Sequence, residues 1–182
     1  MPNAIRERTF TILDAIGSDS RIGKKYLRAG LSYGGPCFPR DNRLLAHTAR
    51  EVGLQAPLAE ASDLVNQRAN EDLVEKVRSM VKTGDTVAVL GVTYKPDTYI
   101  TEEAAGLYLA QHLKRHGHRV LVHDFAATPS NAPALNEFEC VSSLAELKKQ
   151  KNLKLAVICC PWPQYQKLAL GGKAKVFAPW KF

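Results

Sequence analysis

No apolar stretch in the 182 residues approaches the roughly 18 needed to cross a bilayer, which excludes a membrane-spanning helix. No run of five or more like charges occurs, although the net charge is +7. A nucleic-acid-binding tail is therefore not indicated; scattered basic residues such as Lys24, Lys25, Arg40 and Arg43 suit a solvated surface or a small anionic ligand. Cysteine is scarce, at four residues. Cys159 and Cys160 are adjacent in the apolar run LAVICCPW and read as buried strand residues, not as a disulfide framework. The opening MPNAIRERTF has no apolar core, so no signal peptide is expected, and a cytoplasmic protein with reduced thiols is. What remains is an ordinary globular balance, 45% apolar and 24% charged, with enough chain to bury a core unaided.

The periodicity changes once along the chain. Before residue 84 the pattern is helical. Residues 4–16 carry Ile5, Ile12, Leu13 and Ile16 at helical spacing. GSDSRIGKKYL breaks that helix and restarts it, with Ser18 or Asp19 as cap. Residues 42–52 form a second helix, and residues 58–81 a long continuous one. From KTGDTVAVLGVTYKPDT onward strands alternate with helices: strand 86–94, helix 101–116 ended by Gly117, strand 118–125, short helix 143–150, strand 153–160, and a fourth strand in 174–178. This alternation predicts an α/β protein: a helical unit over 1–83, then a parallel sheet with crossover helices over 84–182.

Two places suggest chemistry. Lys95 and its neighbours leave the first strand in GVTYKPDT, the strand end where ligands of open parallel sheets sit. Only Gly91 is present there, so the GxGxxG fingerprint is missing and dinucleotide binding is weakly supported. An ordinary exposed turn accounts for Lys95 equally well. Asp124, ending the second strand, suits either a ribose hydroxyl or a plain turn acid. The second place is AGLSYGGPCFPRDNRLL. Gly34 and Gly35 permit close backbone approach, and Pro39 fixes the chain just past Cys37. A thiol at a helix N-terminus near Arg28 and Arg40 is placed to ionise, and Asp41 lies one turn on, to orient water or cap the helix. A buried structural thiol is the plainer alternative.

GLSYGGPCFPRD resembles the active-site signature of the UDP-glucose/GDP-mannose dehydrogenase family, commonly near GxGFGGSCFPKD. AIGSDSRIGKKYL, VAVLGVTYKPDT and LAVICCPWPQY resemble further segments of that family, in family order. The resemblance implies a central helical unit followed by a Rossmann-like nucleotide-sugar-binding domain. It implies NAD-dependent, two-step oxidation of a sugar C6 alcohol to a carboxylate through a cysteine thioester. On that resemblance Cys37 is the nucleophile and Asp41 the acid that positions water. Arg21 reaches a neighbouring subunit's substrate, and Tyr26, Leu27 and Arg28 lie beside the sugar and phosphates. Tyr33, Gly34 and Gly35 line the sugar pocket, and Tyr94 and Lys95 contact the sugar nucleotide from the other domain.

The sequence also departs from that pattern. The family's NAD-binding domain has no counterpart among these residues, nor do the lysine, asparagine, glutamate and threonine it uses upstream. In the block usually written KPxTDDxRxSP, Ile100 replaces an aspartate, Glu102 the arginine and Ala104 the serine. Pro36 replaces a serine, Arg40 a lysine, and VFAPWKF stands where another substrate arginine is usual. The expectation is a truncated or degenerate UDP-sugar 6-dehydrogenase, inactive alone, that binds no NAD and no metal itself. A non-catalytic nucleotide-sugar-binding or oligomerisation module is the alternative. Expected partners are a UDP-sugar, a second copy through the helix 58–81, or a separate NAD-domain polypeptide, and neither nucleic acid nor membrane.

Overall fold

A computed structural model describes residues 3–27, 30–170 and 174–180, with the side chains of residues 3–7 left aside. The chain divides into two compact units, Met1–Gly30 and Leu31–Trp180.

In the first unit, helix α1 (Asn3–Gly17) matches the spacing of its apolar residues. The expected restart of helix after it does not occur. Asp19 closes a turn instead: its carbonyl accepts from the amides of Ile22 and Gly23 at 3.0 and 2.9 Å, and its carboxylate accepts from the Arg21 amide at 2.9 Å. Gly23 then leaves with φ +74°, a conformation that stops helix propagation.

The second unit opens with helices α2 (Phe38–Glu51) and α3 (Pro57–Arg78), which pack on each other. Both begin with proline in the first turn, where its missing N–H costs nothing. The 22 residues of α3 bury Ala59, Asn66, Leu73, Val74 and Val77. Of these, Leu73, Val74 and Val77 belong to the core of the sheet, so the last turns of α3 are anchored there.

Five parallel strands follow in the order β3-β2-β1-β4-β5: β1 (Thr86–Leu90), β2 (Arg119–His123), β3 (Glu139–Cys140), β4 (Leu153–Ile158) and β5 (Lys175–Phe177). Helix α4 (Ala105–Arg115) connects β1 to β2, and the short α5 (Leu144–Lys148) precedes β4. Every residue of the central strand β1 is buried, as expected of a parallel strand covered on both faces. Alternation divides its side chains. Val87 and Val89 join Leu109, Leu113, Val122 and Leu155 on one face; Ala88 and Leu90 join Leu121, Leu147, Ile158 and Tyr165 on the other. Cys159 and Cys160 follow β4 on opposite faces, both buried, in agreement with the sequence reading. Strands β2 and β3 lie to one side of β1, and β4 and β5 to the other, so the topology reverses between β1 and β4. This is an α/β chain with helices leading into a Rossmann-like parallel sheet.

Candidate active site

Cys37 stands at the N-cap of α2, with the Asp41 amide donating to its carbonyl oxygen at 2.8 Å. The helix begins at Phe38, four residues earlier than the periodicity alone marks, because Pro39 presets a helical φ. Of the four cysteines, Cys37 alone is exposed; Cys140 is half-buried and Cys159 and Cys160 are buried. Burial pushes the Cys140 and Cys159 thiols up from the ordinary range and Cys160 up to about 12, leaving all three poor nucleophiles near neutral pH. Cys37 is the accessible thiol of the chain.

The turn that carries Cys37 is held from three directions within Leu31–Trp180. From α3, the Asn66 carboxamide accepts the Tyr33 amide at 2.8 Å and donates to the Tyr33 carbonyl at 2.9 Å, while the Ser32 hydroxyl donates to the Asn70 side chain at 2.6 Å. From α2, the Asn42 amide donates to the Tyr33 hydroxyl at 2.9 Å. From the loop after β1, the Glu102 carbonyl accepts the Gly35 amide at 2.9 Å.

That last contact explains both glycines. A Cβ on Gly34 would lie 2.4 Å from the Glu103 carbonyl oxygen, and one on Gly35 would lie 2.8 Å from the Tyr94 ring. Gly35 also has φ +87°, which favours glycine. The cysteine turn and the loop 93–103 are thus brought together, although some 60 positions separate them in sequence. Two non-glycine residues of that loop, Asp97 (φ 61°) and Glu103 (φ 52°), adopt the left-handed conformation. Such strain is of order 1 kcal/mol or more per residue and persists only where surrounding contacts impose it. Here the Tyr94 amide bonds the Ile100 carbonyl at 3.1 Å, closing the loop on itself.

The charges are largely paired. Arg40 Nε donates to Asp41 at 2.8 Å, and the Asp41 carboxylate raises the Arg40 guanidinium above its usual value. Arg43 donates to Glu103 at 2.7 Å, joining α2 to the loop after β1. Lys95 is exposed, with its Nζ 5.4 Å from the Tyr94 ring centroid, and has no carboxylate partner among the described residues. In this unit, then, Tyr33, Gly34, Gly35, Cys37, Asp41, Tyr94 and Lys95 are carried by the clamped turn, the start of α2 and the loop after β1.

The remaining candidates belong to Met1–Gly30. Arg21 makes a two-point pair with Asp19, at 3.0 and 2.6 Å, which holds the Asp19 carboxyl below the usual carboxylate range. Tyr26 is 95% exposed and Leu27 half-buried. Arg28 lies outside the described residues.

Asp124 is a turn acid. One carboxylate oxygen accepts from the Val92 and Thr93 amides and the Thr93 hydroxyl at 2.8–3.1 Å, and the other from the Ala126 and Ala127 amides at 2.9 and 3.2 Å. Five donors leave it no free lone pair for a ribose. Gly91, at φ +83°, is filled against Cys160, since a Cβ there would lie 2.4 Å from the cysteine's own. At the end of β1, Asp124 and Gly91 are thus both engaged within the fold.

Asn42, Asn66, Asn70 and Glu103 are contributors that the sequence reading passes over. Asn66 alone carries a signal: it interrupts the buried stripe Ala59–Asn66–Leu73 with an amide at an apolar position.

Comparison with known proteins agrees with this geometry. The pattern of the UDP-glucose/GDP-mannose dehydrogenase family, central domain, matches residues 7–68, and that of the family's UDP binding domain matches residues 88–180. UDP-glucose 6-dehydrogenase TuaD of Bacillus subtilis is 30% identical over 162 residues, covering 87% of this chain and 35% of its own length. A UDP-glucose 6-dehydrogenase of Pseudomonas aeruginosa is 40% identical over 112 residues, 60% of this chain and 25% of its own. The solved UDP-glucose dehydrogenase of Pyrobaculum islandicum superposes with a TM-score of 0.78 at 32% identity, over 93% of this chain and 39% of that one. This chain thus spans about a third of the length of such relatives. With the clamped cysteine turn, the parallel sheet and both domain patterns in family order, the chain belongs to the UDP-glucose/GDP-mannose dehydrogenase family, of which it carries the central and UDP-binding segments.

Proposed function

We propose that these residues form the sugar-nucleotide and thiol part of a UDP-sugar 6-dehydrogenase. The observation that carries the reading is the clamp itself. An accessible thiol stands two residues beyond a glycine pair that is bonded to the Tyr94–Lys95 loop. Tyr33, Gly34 and Gly35 line the sugar side, and Lys95, with no carboxylate partner among the described residues, meets the diphosphate. By family resemblance, Tyr26, Leu27 and Arg28 are assigned to sugar-nucleotide binding and Arg21 to a neighbouring copy's substrate.

Cys37 acts on a C6 aldehyde. Its thiolate adds to the carbonyl carbon, the C–S bond forms, the π pair moves to oxygen, and that oxygen takes a proton. No oxidant is consumed in this addition. Asp41, one helical turn away, orients water for hydrolysis of a thioester. With Asp124 and Gly91 engaged within the fold at the end of β1, we do not assign the hydride steps to these residues. The 182-residue chain is accordingly inactive by itself as a dehydrogenase.

Calorimetry with UDP-glucose and UDP-glucuronate tests the reading; saturable binding is expected, and no heat with either ligand sinks it. A coupled assay for NADH from UDP-glucose and NAD is expected to stay at background. Turnover that depends on Cys37 would overturn the inactivity.

One observation favours a second reading, a non-catalytic binding or oligomerisation module. Asp41 is already engaged by Arg40, and Leu45, Leu58 and Val65 stand 58–84% exposed along α2 and α3. These exposed apolar side chains suit a homodimer through the long helix. Light scattering giving a clean monomer at micromolar concentration would exclude it.

A further inference from the structure

We propose that Asn66 is a positioning residue for the Cys37 site: its buried carboxamide sets the course of residues 32–35, and through them the sugar-facing turn. The inference deepens the function proposed above and rests on it.

Asn66 is 8% exposed on the inward side of α3, in register with Ala59 and Leu73. Its neighbours in that stripe are apolar, so packing against the core alone does not require an amide. Its side chain instead satisfies both backbone groups of Tyr33, the N–H at 2.8 Å and the C=O at 2.9 Å. Tyr33 lies in neither helix nor strand, so those two groups have no ladder to join. The carboxamide supplies one, as a single residue of a neighbouring strand would. Only asparagine does this from that distance: aspartate has no donor for the carbonyl, and glutamine is one methylene longer.

The other ties to this segment involve less buried side chains. Ser32–Asn70 and Asn42–Tyr33 act through side chains, and Gly35–Glu102 fixes the far end. Asn66 holds the backbone itself, four residues before Cys37. Release of Tyr33 would let residues 33–35 drift from Tyr94 and the Glu103 carbonyl, the surfaces against which both glycines are seated. The expected defect is therefore in recognition of the sugar end and in presentation of the thiol, not in the sheet.

The test compares Asn66→Leu, Asn66→Asp and Asn70→Ala in the full chain. Four quantities are measured: urea midpoint, amide exchange at Tyr33, calorimetric affinity for UDP-glucose and for UDP, and the rate of Cys37 alkylation by iodoacetamide. For Asn66→Leu, Tyr33 exchange rises about tenfold and UDP-glucose affinity falls about tenfold, while UDP affinity changes less than about twofold. Asn66→Asp, which keeps the acceptor and loses the donor, falls between, and it serves alone if the leucine variant does not fold. Asn70→Ala leaves Tyr33 exchange at the wild-type rate. An unchanged ratio of UDP-glucose to UDP affinity in both Asn66 variants, even with lowered stability, overturns the positioning role. If the wild-type chain binds neither ligand, the functional reading fails separately. Positioning is then decided by alkylation: a shifted rate in Asn66→Asp supports it, and an unshifted rate overturns it.

Discussion

Replacing Gly34 with alanine would test whether the cysteine turn depends on its seat against the loop after β1. The new Cβ would lie 2.4 Å from the Glu103 carbonyl oxygen and 3.2 Å from Tyr94 Cβ. The carbonyl belongs to the backbone of a closed loop, so it has no rotamer through which to yield. Restoring van der Waals contact requires the two segments to part by roughly 1 Å. The Gly35 amide and Glu102 carbonyl, now 2.9 Å apart, would then pass beyond hydrogen-bonding distance. Overpacking of this kind costs about 1–3 kcal/mol and the lost hydrogen bond about 1. With a urea dependence of about 2 kcal/mol per molar, the unfolding midpoint falls by about 1–2 M. Gly84→Ala is the control. Nothing lies within 4 Å of its Cβ, and φ is +88°, so its penalty is conformational only, about 1 kcal/mol, with no effect on ligand binding. The assay is urea unfolding followed by circular dichroism, with UDP-glucose calorimetry on the same samples. If Gly34→Ala is no more destabilising than Gly84→Ala and binds UDP-glucose as wild type does, the clamp does not hold the site.

Three further outcomes are expected. Iodoacetamide at neutral pH should give one fast adduct by intact mass, lost in Cys37→Ser, with the other three thiols reacting only slowly or on unfolding; several fast adducts would contradict the burial of Cys159 and Cys160. Asp124→Ala leaves five donors without their acceptor and should lower stability by about 1–3 kcal/mol in urea, more than Asp124→Asn does; equal effects would mean that the charge and not the acceptor geometry matters there. Burial holds His123 below its ordinary value of 6.5. The unfolded chain therefore takes the proton first, and the stability this group contributes is complete above 6.5 and is lost as pH falls through the depressed value. The urea midpoint should drop from pH 7.5 to 5.5 and drop less in His123→Gln, and an identical drop in both would assign the slope to other groups.

The aromatic cluster around His123 shows how local pattern and tertiary context divide the work. The strand RVLVH is legible as a short β-branched apolar run, but nothing in the sequence pairs His123 with Tyr165, 42 positions on. In the fold the Tyr165 hydroxyl donates to the His123 carbonyl at 3.0 Å and so accepts from the ring Nδ1–H at 2.7 Å. The same division runs through the site. A cysteine between two prolines ahead of a helix is visible as a motif, because turn and cap chemistry is local. The helix restart expected after Gly17 does not form, because an aspartate that can cap a helix can equally close a turn, and only its partners decide which. Asp124 is ambiguous in the sequence for the same reason.

The sequence by itself determined the long helices, four of the five parallel strands (not the two-residue β3), the family and the cysteine motif, since periodicity, proline placement and short-range spacing are properties of neighbouring residues. It also determined which residue types stand where the family pattern is broken. Only the tertiary structure decided that Cys37 is the exposed thiol of the four, that its glycines are seated on Tyr94 and the Glu103 carbonyl, and that Asn66 holds the turn from behind. Those facts depend on contacts between residues some 30–70 positions apart, and a contact of that range is fixed by the packing of the whole sheet and its helices, not by any stretch of chain that a local pattern can describe.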